Sequence, residues 1–180
     1  MRLVHIPKNG GTSIYNALDM EEPGHGGIKK YDKNSFAVVR NPYDRLVSHY
    51  FYIKTKNSYY FDEHPAAKLL AGSTFEDFVY LCLSSKESIL KHVRVKEGLY
   101  LLPQYSYICD EKDNILVGNI LRFENLQRDF NKFWDLKLPH LNKSNRKKDW
   151  RVYYNDRTLE IINNVYEKDF EIFNYKHMLN

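Results

Sequence analysis

The chain has 180 residues, 43% of them apolar and 28% charged, which fits a single globular domain over residues 1–180 and excludes a disordered or two-domain chain. Lysine and arginine outnumber aspartate and glutamate by 27 to 23, a formal +4; the excess favours anionic ligands but is too small, without a stacking motif, for a nucleic-acid partner. No stretch approaches the ~18 apolar residues of a membrane span, and no basic region leads into an apolar signal core. The chain as written is therefore expected to be cytoplasmic, with a truncated membrane-anchored form left open.

Taken in order, Arg2 to Ile6 reads as a short strand ended by Pro7. Asn9, Gly10 and Gly11 form a flexible turn, and Thr12 and Ser13 are placed to cap a helix running to about Leu18. Phe36 to Val39 is a second strand. Asn41 then suits an N-cap, and Pro42 the first position of a helix to about Lys54, where its missing N–H costs nothing. Thr74 to Asp77 spells a capping box, opening a helix with Phe75, Phe78, Val79 and Cys82 on one face.

Tyr105 to Cys109, Ile115 to Val117 and Ile120 to Phe123 read as strands, with Asp113 and Asn114 turning between the first two. Helices over Leu126 to Asp135 and Asp156 to Phe170 follow, the second aligning Leu159, Ile162, Tyr166 and Phe170. Early strand–helix alternation predicts an α/β fold, a parallel sheet flanked by helices with its ligand crevice at the carboxyl ends of the strands. Cys82 and Cys109 are the only cysteines; they fit neither a disulfide framework nor a zinc site and are expected to be reduced and structural.

Two stretches carry chemistry. From His5 to Ser13 a glycine loop leaves a strand and enters a helix. There the backbone N–H groups of Gly10 to Ser13 can face an anion, and the glycines put no Cβ in its way. Lys8 adds a mobile cation. The competing reading is a plain strand–turn–helix corner with a surface lysine. Because Lys8 precedes the glycines, the loop is not that of an ordinary NTPase, where lysine follows the last glycine. The second stretch runs from Arg40 to Ser48. A magnesium-dependent NTPase needs a carboxylate near such a strand end, but this strand ends in Arg40. Its guanidinium suits a second phosphate, with Ser48 two turns into the helix adding a hydroxyl. An ion pair of Arg40 with Glu124, and an idle Ser48, are the competing readings.

Together these stretches resemble the sulfotransferases that use 3′-phosphoadenosine-5′-phosphosulfate (PAPS), in particular the carbohydrate sulfotransferase branch (sulfotransferase family 2-like) with its His-Ile-Pro-Lys-x-Gly-Gly-Thr-Ser opening. The resemblance continues through Leu102, Pro103 and Gln104, through Arg122 to Leu126, through Leu138 to Ser144, and on to Tyr166, Asp169, Phe170, Phe173 and Tyr175. It implies a P-loop nucleotide-kinase-like sulfotransferase fold, PAPS as donor with adenosine 3′,5′-bisphosphate (PAP) as product, and neither a metal nor a redox cofactor. Residue by residue, the 5′-phosphosulfate loop corresponds to Lys8, Asn9, Gly10, Gly11, Thr12 and Ser13. The 3′-phosphate site corresponds to Arg40 and Ser48, and the loop closing over the nucleotide to Asn142, Lys143 and Ser144, with Arg146, Lys147 and Lys148 extending its charge. A donor charged at both ends needs two separate anion sites, and these stretches would supply them.

For sulfuryl transfer, Lys8 is the candidate stabiliser of the charge growing on the leaving oxygen. His25, in the glycine-rich segment Pro23 to Gly27, resembles the family's post-loop histidine and is the candidate base. Its ordinary pKa of ~6.5 leaves it mostly neutral at physiological pH. Glu21, Glu22 and His64 are alternative bases; His5 is expected to pack beneath the loop, and His49 and His140 to be structural. The acceptor is expected to be hydroxylated, foremost a glycan, although the segment from about Lys54 to Pro103 carries no readable motif. A magnesium-dependent nucleotide or small-molecule kinase and a catalytically inactive nucleotide-binding module remain as alternatives, and the oligomeric state stays open.

Overall fold

Three parallel strands, Arg2–Val4 (β1), Asp32–Val39 (β2) and Val117–Arg122 (β3), pair in the order β1-β2-β3. The computed structural model describes residues 1–21, 23–55, 70, 72–84, 100–139, 141 and 145–178. Its helices are Gly11–Ala17 (α1), Pro42–Thr55 (α2), Phe75–Val79 (α3), Tyr105–Ile108 (α4), Leu126–Phe130 (α5), Asp156–Val165 (α6) and Glu167–Ile172 (α7). A π-helical turn, Tyr80–Ser84, follows α3, and 3-10 turns cover Phe123–Asn125 and Trp150–Tyr153. Two compact units are assembled from separate stretches: Met1–Asn41, Leu102–Lys143 and Lys168–Tyr175 in the first, the remainder in the second.

In the first unit β2 is central and buried on both faces, which is why Phe36 to Val39 is an unbroken apolar run. Alternate side chains point to opposite layers. Leu3, Phe36, Val38 and Leu121 meet Ile14 of α1 and Phe130 of α5. Val4, Ala37 and Val39 meet Tyr107 and Ile108 of α4 and Phe173. The β2–β3 register slips between Asp32 and Phe36. There Gly118 lets the strands approach, because a Cβ on it would stand 2.2 Å from the Lys33 carbonyl oxygen.

The structure corrects several expectations. Tyr105 to Cys109 is not a strand: Tyr105–Ile108 forms a helical turn because the Asp169 carboxylate accepts the amides of Gln104 and Tyr105, both at 2.8 Å, at its start. The two later runs merge into β3; Ile115 makes only an isolated antiparallel bridge to Cys109. Gly10, in the left-handed region at φ 82°, is the N-cap of α1, so Thr12 and Ser13 lie inside the helix. The final helix divides at Tyr166 into α6 and α7.

The second unit follows its local signals more closely. Pro42 opens α2, and Leu46, Val47, Tyr50 and Ile53 are buried along it. The capping box is formed: Asp77 N–H donates to Thr74 Oγ1 at 3.1 Å and Thr74 N–H to Asp77 Oδ2 at 3.2 Å. Asn155 and Thr158 form a second reciprocal cap at the start of α6. Rings fill the space between: Tyr43 stacks on Trp150 at 5.3 Å and meets Tyr154 edge-on at 5.2 Å, while Phe75 meets Tyr154 at 5.0 Å. No helix among the described residues is long and apolar enough to cross a membrane.

Candidate functional site

The loop at the carboxyl end of β1 turns sharply because Lys8 and Gly10 both take left-handed backbone angles, φ 68° and 82°. For lysine that conformation is uncommon and must be held by its surroundings. Gly11 is required by close approach: a Cβ there would lie 2.3 Å from the His5 imidazole, which fills the space beneath the loop. His5 thus packs as expected. Burial, followed by the nearby His25 and Lys8 charges, lowers its pKa to about 4, so it is neutral at physiological pH. Its Nδ1 has no hydrogen-bond partner among the described residues.

Behind the loop lies a fully buried polar network. Asn9, 1% exposed, donates from Nδ2 to the Val38 carbonyl at 2.6 Å and to Gln104 Oε1 at 2.8 Å. Gln104, 0% exposed, also accepts the Arg40 N–H at 2.9 Å; its Nε2 donates to the Arg40 carbonyl at 2.8 Å and to Asp169 Oδ2 at 3.2 Å. Both lone pairs and both N–H groups of this side-chain amide are therefore used, which is what a buried amide requires. The sequence assigns no role to Gln104 or Asp169. The available signal is a lone polar residue after Leu-Leu-Pro, inside one of the segments carrying the resemblance.

Arg40 follows β2 and is 5% exposed. Its Nη1 donates to the Lys8 carbonyl at 2.8 Å, and its guanidinium lies 3.7 Å from the centroid of the Phe123 ring. The adjacent Asn41 N–H donates to Glu124 Oε1 at 2.6 Å, and the Tyr175 hydroxyl donates to Glu124 Oε2 at 3.0 Å. Burial and the Glu124 charge push the Tyr175 pKa upward, so the phenol stays a donor. Glu124 therefore anchors the main chain beyond Arg40. His25 is half-buried; its ring centroid is 4.4 Å from that of His5, and its Nδ1 is 3.4 Å from the His5 carbonyl oxygen.

The first unit thus brings together Lys8 to Ser13, His25 and Arg40. Ser48 belongs to the second unit, buried on α2. Also there, Arg146 is paired with Asp44 at 2.6 Å and so is not a simple extension of a solvated basic loop. Asn142, Lys143, Ser144, Glu22, His64 and His140 lie outside the described residues, whereas Glu21 is exposed. Cys82 and Cys109 are reduced thiols, pushed up to about 12 and about 11 chiefly by burial, and therefore protonated at neutral pH.

A glycine loop after the first parallel strand and an arginine after the second occupy the carboxyl end of the sheet, and the sequence matches the profile of the Sulfotransferase family over residues 2–176. The chain belongs to the sulfotransferase family. Its parallel sheet with flanking helices is the α/β fold expected of such a sulfotransferase, and sulfuryl transfer is the general chemistry that membership carries. Neither a curated protein nor a solved structure matches it.

Proposed function

We propose that this sulfotransferase moves the sulfuryl group of PAPS to a hydroxyl of a carbohydrate. The observation that carries the reading is the direct bond from Arg40 Nη1 to the Lys8 carbonyl, 2.8 Å. It ties a cationic strand end to a glycine loop, as a ligand with an anion at each end would require. In this reading Lys8 to Ser13 hold the 5′-phosphosulfate. Ser13 N–H donates to the Gly10 carbonyl at 3.1 Å, so the loop's contribution to the ligand comes from the amides ahead of it and from the Lys8 ammonium. Arg40 receives the 3′-phosphate, and the resemblance alone adds Ser48 to that role and Asn142, Lys143 and Ser144 to nucleotide binding.

The donor supplies an activated sulfur–oxygen bond. The acceptor hydroxyl attacks sulfur in line, a new sulfur–oxygen bond forms as the bond to the phosphate oxygen breaks, and PAP leaves with the electron pair. Lys8 stabilises the charge growing on that bridging oxygen. His25 takes the hydroxyl proton; the neutral His5 beneath it adds no positive charge that would oppose this uptake. Sugar hydroxyls are the favoured acceptors because the opening motif resembles the carbohydrate branch.

Calorimetric titration with PAP and with 5′-AMP, followed by a labelled-sulfate acceptor screen, tests the reading. Wild type should prefer PAP strongly, and Arg40→Ala should remove most of that preference. Transfer should persist in EDTA, whereas loss of turnover with the metal would favour the kinase alternative. Equal affinity for PAP and 5′-AMP in wild type would refute the donor assignment.

A further inference from the structure

We propose that Gln104 is a positioning residue that fixes the glycine loop and the Arg40 strand end at one separation, so that the two ends of the donor are recognised together. The inference rests on the donor reading above. Its basis is the geometry of one side chain. The Gln104 amide pairs with both the N–H and the carbonyl of Arg40, at 2.9 and 2.8 Å, as an adjacent strand would pair with a residue lying beyond the end of β2. The same oxygen accepts from Asn9, whose other N–H is spent on Val38, so the loop and the strand end share one acceptor.

The frame is closed on two sides. Asp169 holds Gln104 by its backbone N–H at 2.8 Å and its Nε2 at 3.2 Å, fixing the orientation of the amide. On the other side Arg40 Nη1 reaches the Lys8 carbonyl at 2.8 Å. Lys8, Asn9 and Arg40 are thereby set in one hydrogen-bonded ring. A packing role alone would be served by an apolar side chain of similar volume. Such a residue would remove the partner of one Asn9 N–H and the Gln104 bonds to both main-chain groups of Arg40. Misplacing one anion site relative to the other penalises most the ligand that touches both, since its binding depends on the two being in register.

The test compares PAP with 5′-AMP in wild type, Gln104→Glu and Asn9→Ala, each below its thermal transition. Glutamate keeps the acceptor but removes the donors to Arg40 and Asp169; alanine at 9 removes the link to the loop. In either folded variant the PAP-to-AMP affinity ratio should fall about tenfold or more, chiefly through PAP. In wild type, amide exchange at Arg40 and Gln104 should slow together on adding PAP and less with 5′-AMP, a readout that needs no variant. A folded variant that keeps the wild-type ratio, or loses both ligands equally, overturns the inference, as do Arg40 and Gln104 amides whose exchange PAP leaves unchanged. If wild type itself fails to prefer PAP, the donor reading falls and takes this inference with it.

Discussion

Both units bury apolar and polar side chains, but they connect them differently. In the first, an amide, a carboxylate and a guanidinium are sunk behind the glycine loop, with Gln104 and Asp169 both 0% exposed. In the second, the rings Tyr43, Tyr50, Phe75 and Phe78, with Trp150 and Tyr154 around them, pack among aliphatic side chains such as Leu46, Val47, Ile53 and Ile162, and Arg45 and His49 are buried there too. Buried polar groups have directional demands, so they specify where the main chain must be and are costly when half-satisfied. Rings contribute mainly area and tolerate small rotations. The first arrangement thus specifies placement, while the second supplies cohesion.

Four measurements put that contrast at risk. The largest stability effect belongs to the rings: Phe78, 0% exposed, makes a tilted contact with Tyr50 at 5.4 Å, so Phe78→Ala should cost about 3–5 kcal/mol in urea unfolding. A loss under about 1 kcal/mol would mean the rings are not what holds the second unit. In the first unit, Lys8→Ala should slow single-turnover sulfuryl transfer by roughly 10²–10³, about 3–4 kcal/mol of barrier, with a smaller change in PAP affinity. An unaltered rate would remove Lys8 from the chemistry.

The third measurement concerns acid stability. His5 titrates at about 4 when folded, against the ordinary 6.5 of a solvated imidazole. Below pH ~6.5 the unfolded chain takes up a proton that the folded one refuses, so stability falls as pH drops from there towards 4, by about 3 kcal/mol in all. His5→Phe should lack that part of the slope; an identical pH profile would show that the ring beneath Gly11 is not held neutral. The smallest effect is expected for Tyr43→Phe. Its hydroxyl donates to Asn163 and accepts the Met178 N–H at 3.1 Å. Removing it should cost about 1 kcal/mol, readable as a lower melting temperature.

Local signals in the sequence are legible where they are self-contained. Pro42 starts its helix, the Thr74–Asp77 box closes within three residues, and the apolar run Phe36 to Val39 lies in the central strand. What the sequence hides depends on distant partners. Tyr105 to Cys109 has strand composition, yet it turns as a helix because a carboxylate 64 residues further on takes the Tyr105 amide. A short apolar run offers no periodicity to correct that reading. The head of β2 leaves no strand signal because Asp32 to Asn34 are polar and no layer buries them fully. In the candidate site, the glycine loop and Arg40 are visible as residue types. The stacking of Arg40 on Phe123 and the four bonds of Gln104 are not, since neither leaves a spacing rule.

The Asp169 cap also bears on the order of folding. The amides of Gln104 and Tyr105 lie 65 and 64 residues from the carboxylate that accepts them, and such distant contacts are slow to close. A nascent chain that has not yet exposed residue 169 at the ribosome carries every residue of the glycine loop and the whole of β1 to β3, but lacks the carboxylate that caps α4. The frame behind the glycine loop is therefore completed only after residue 169 has been synthesised, and not when the sheet first assembles.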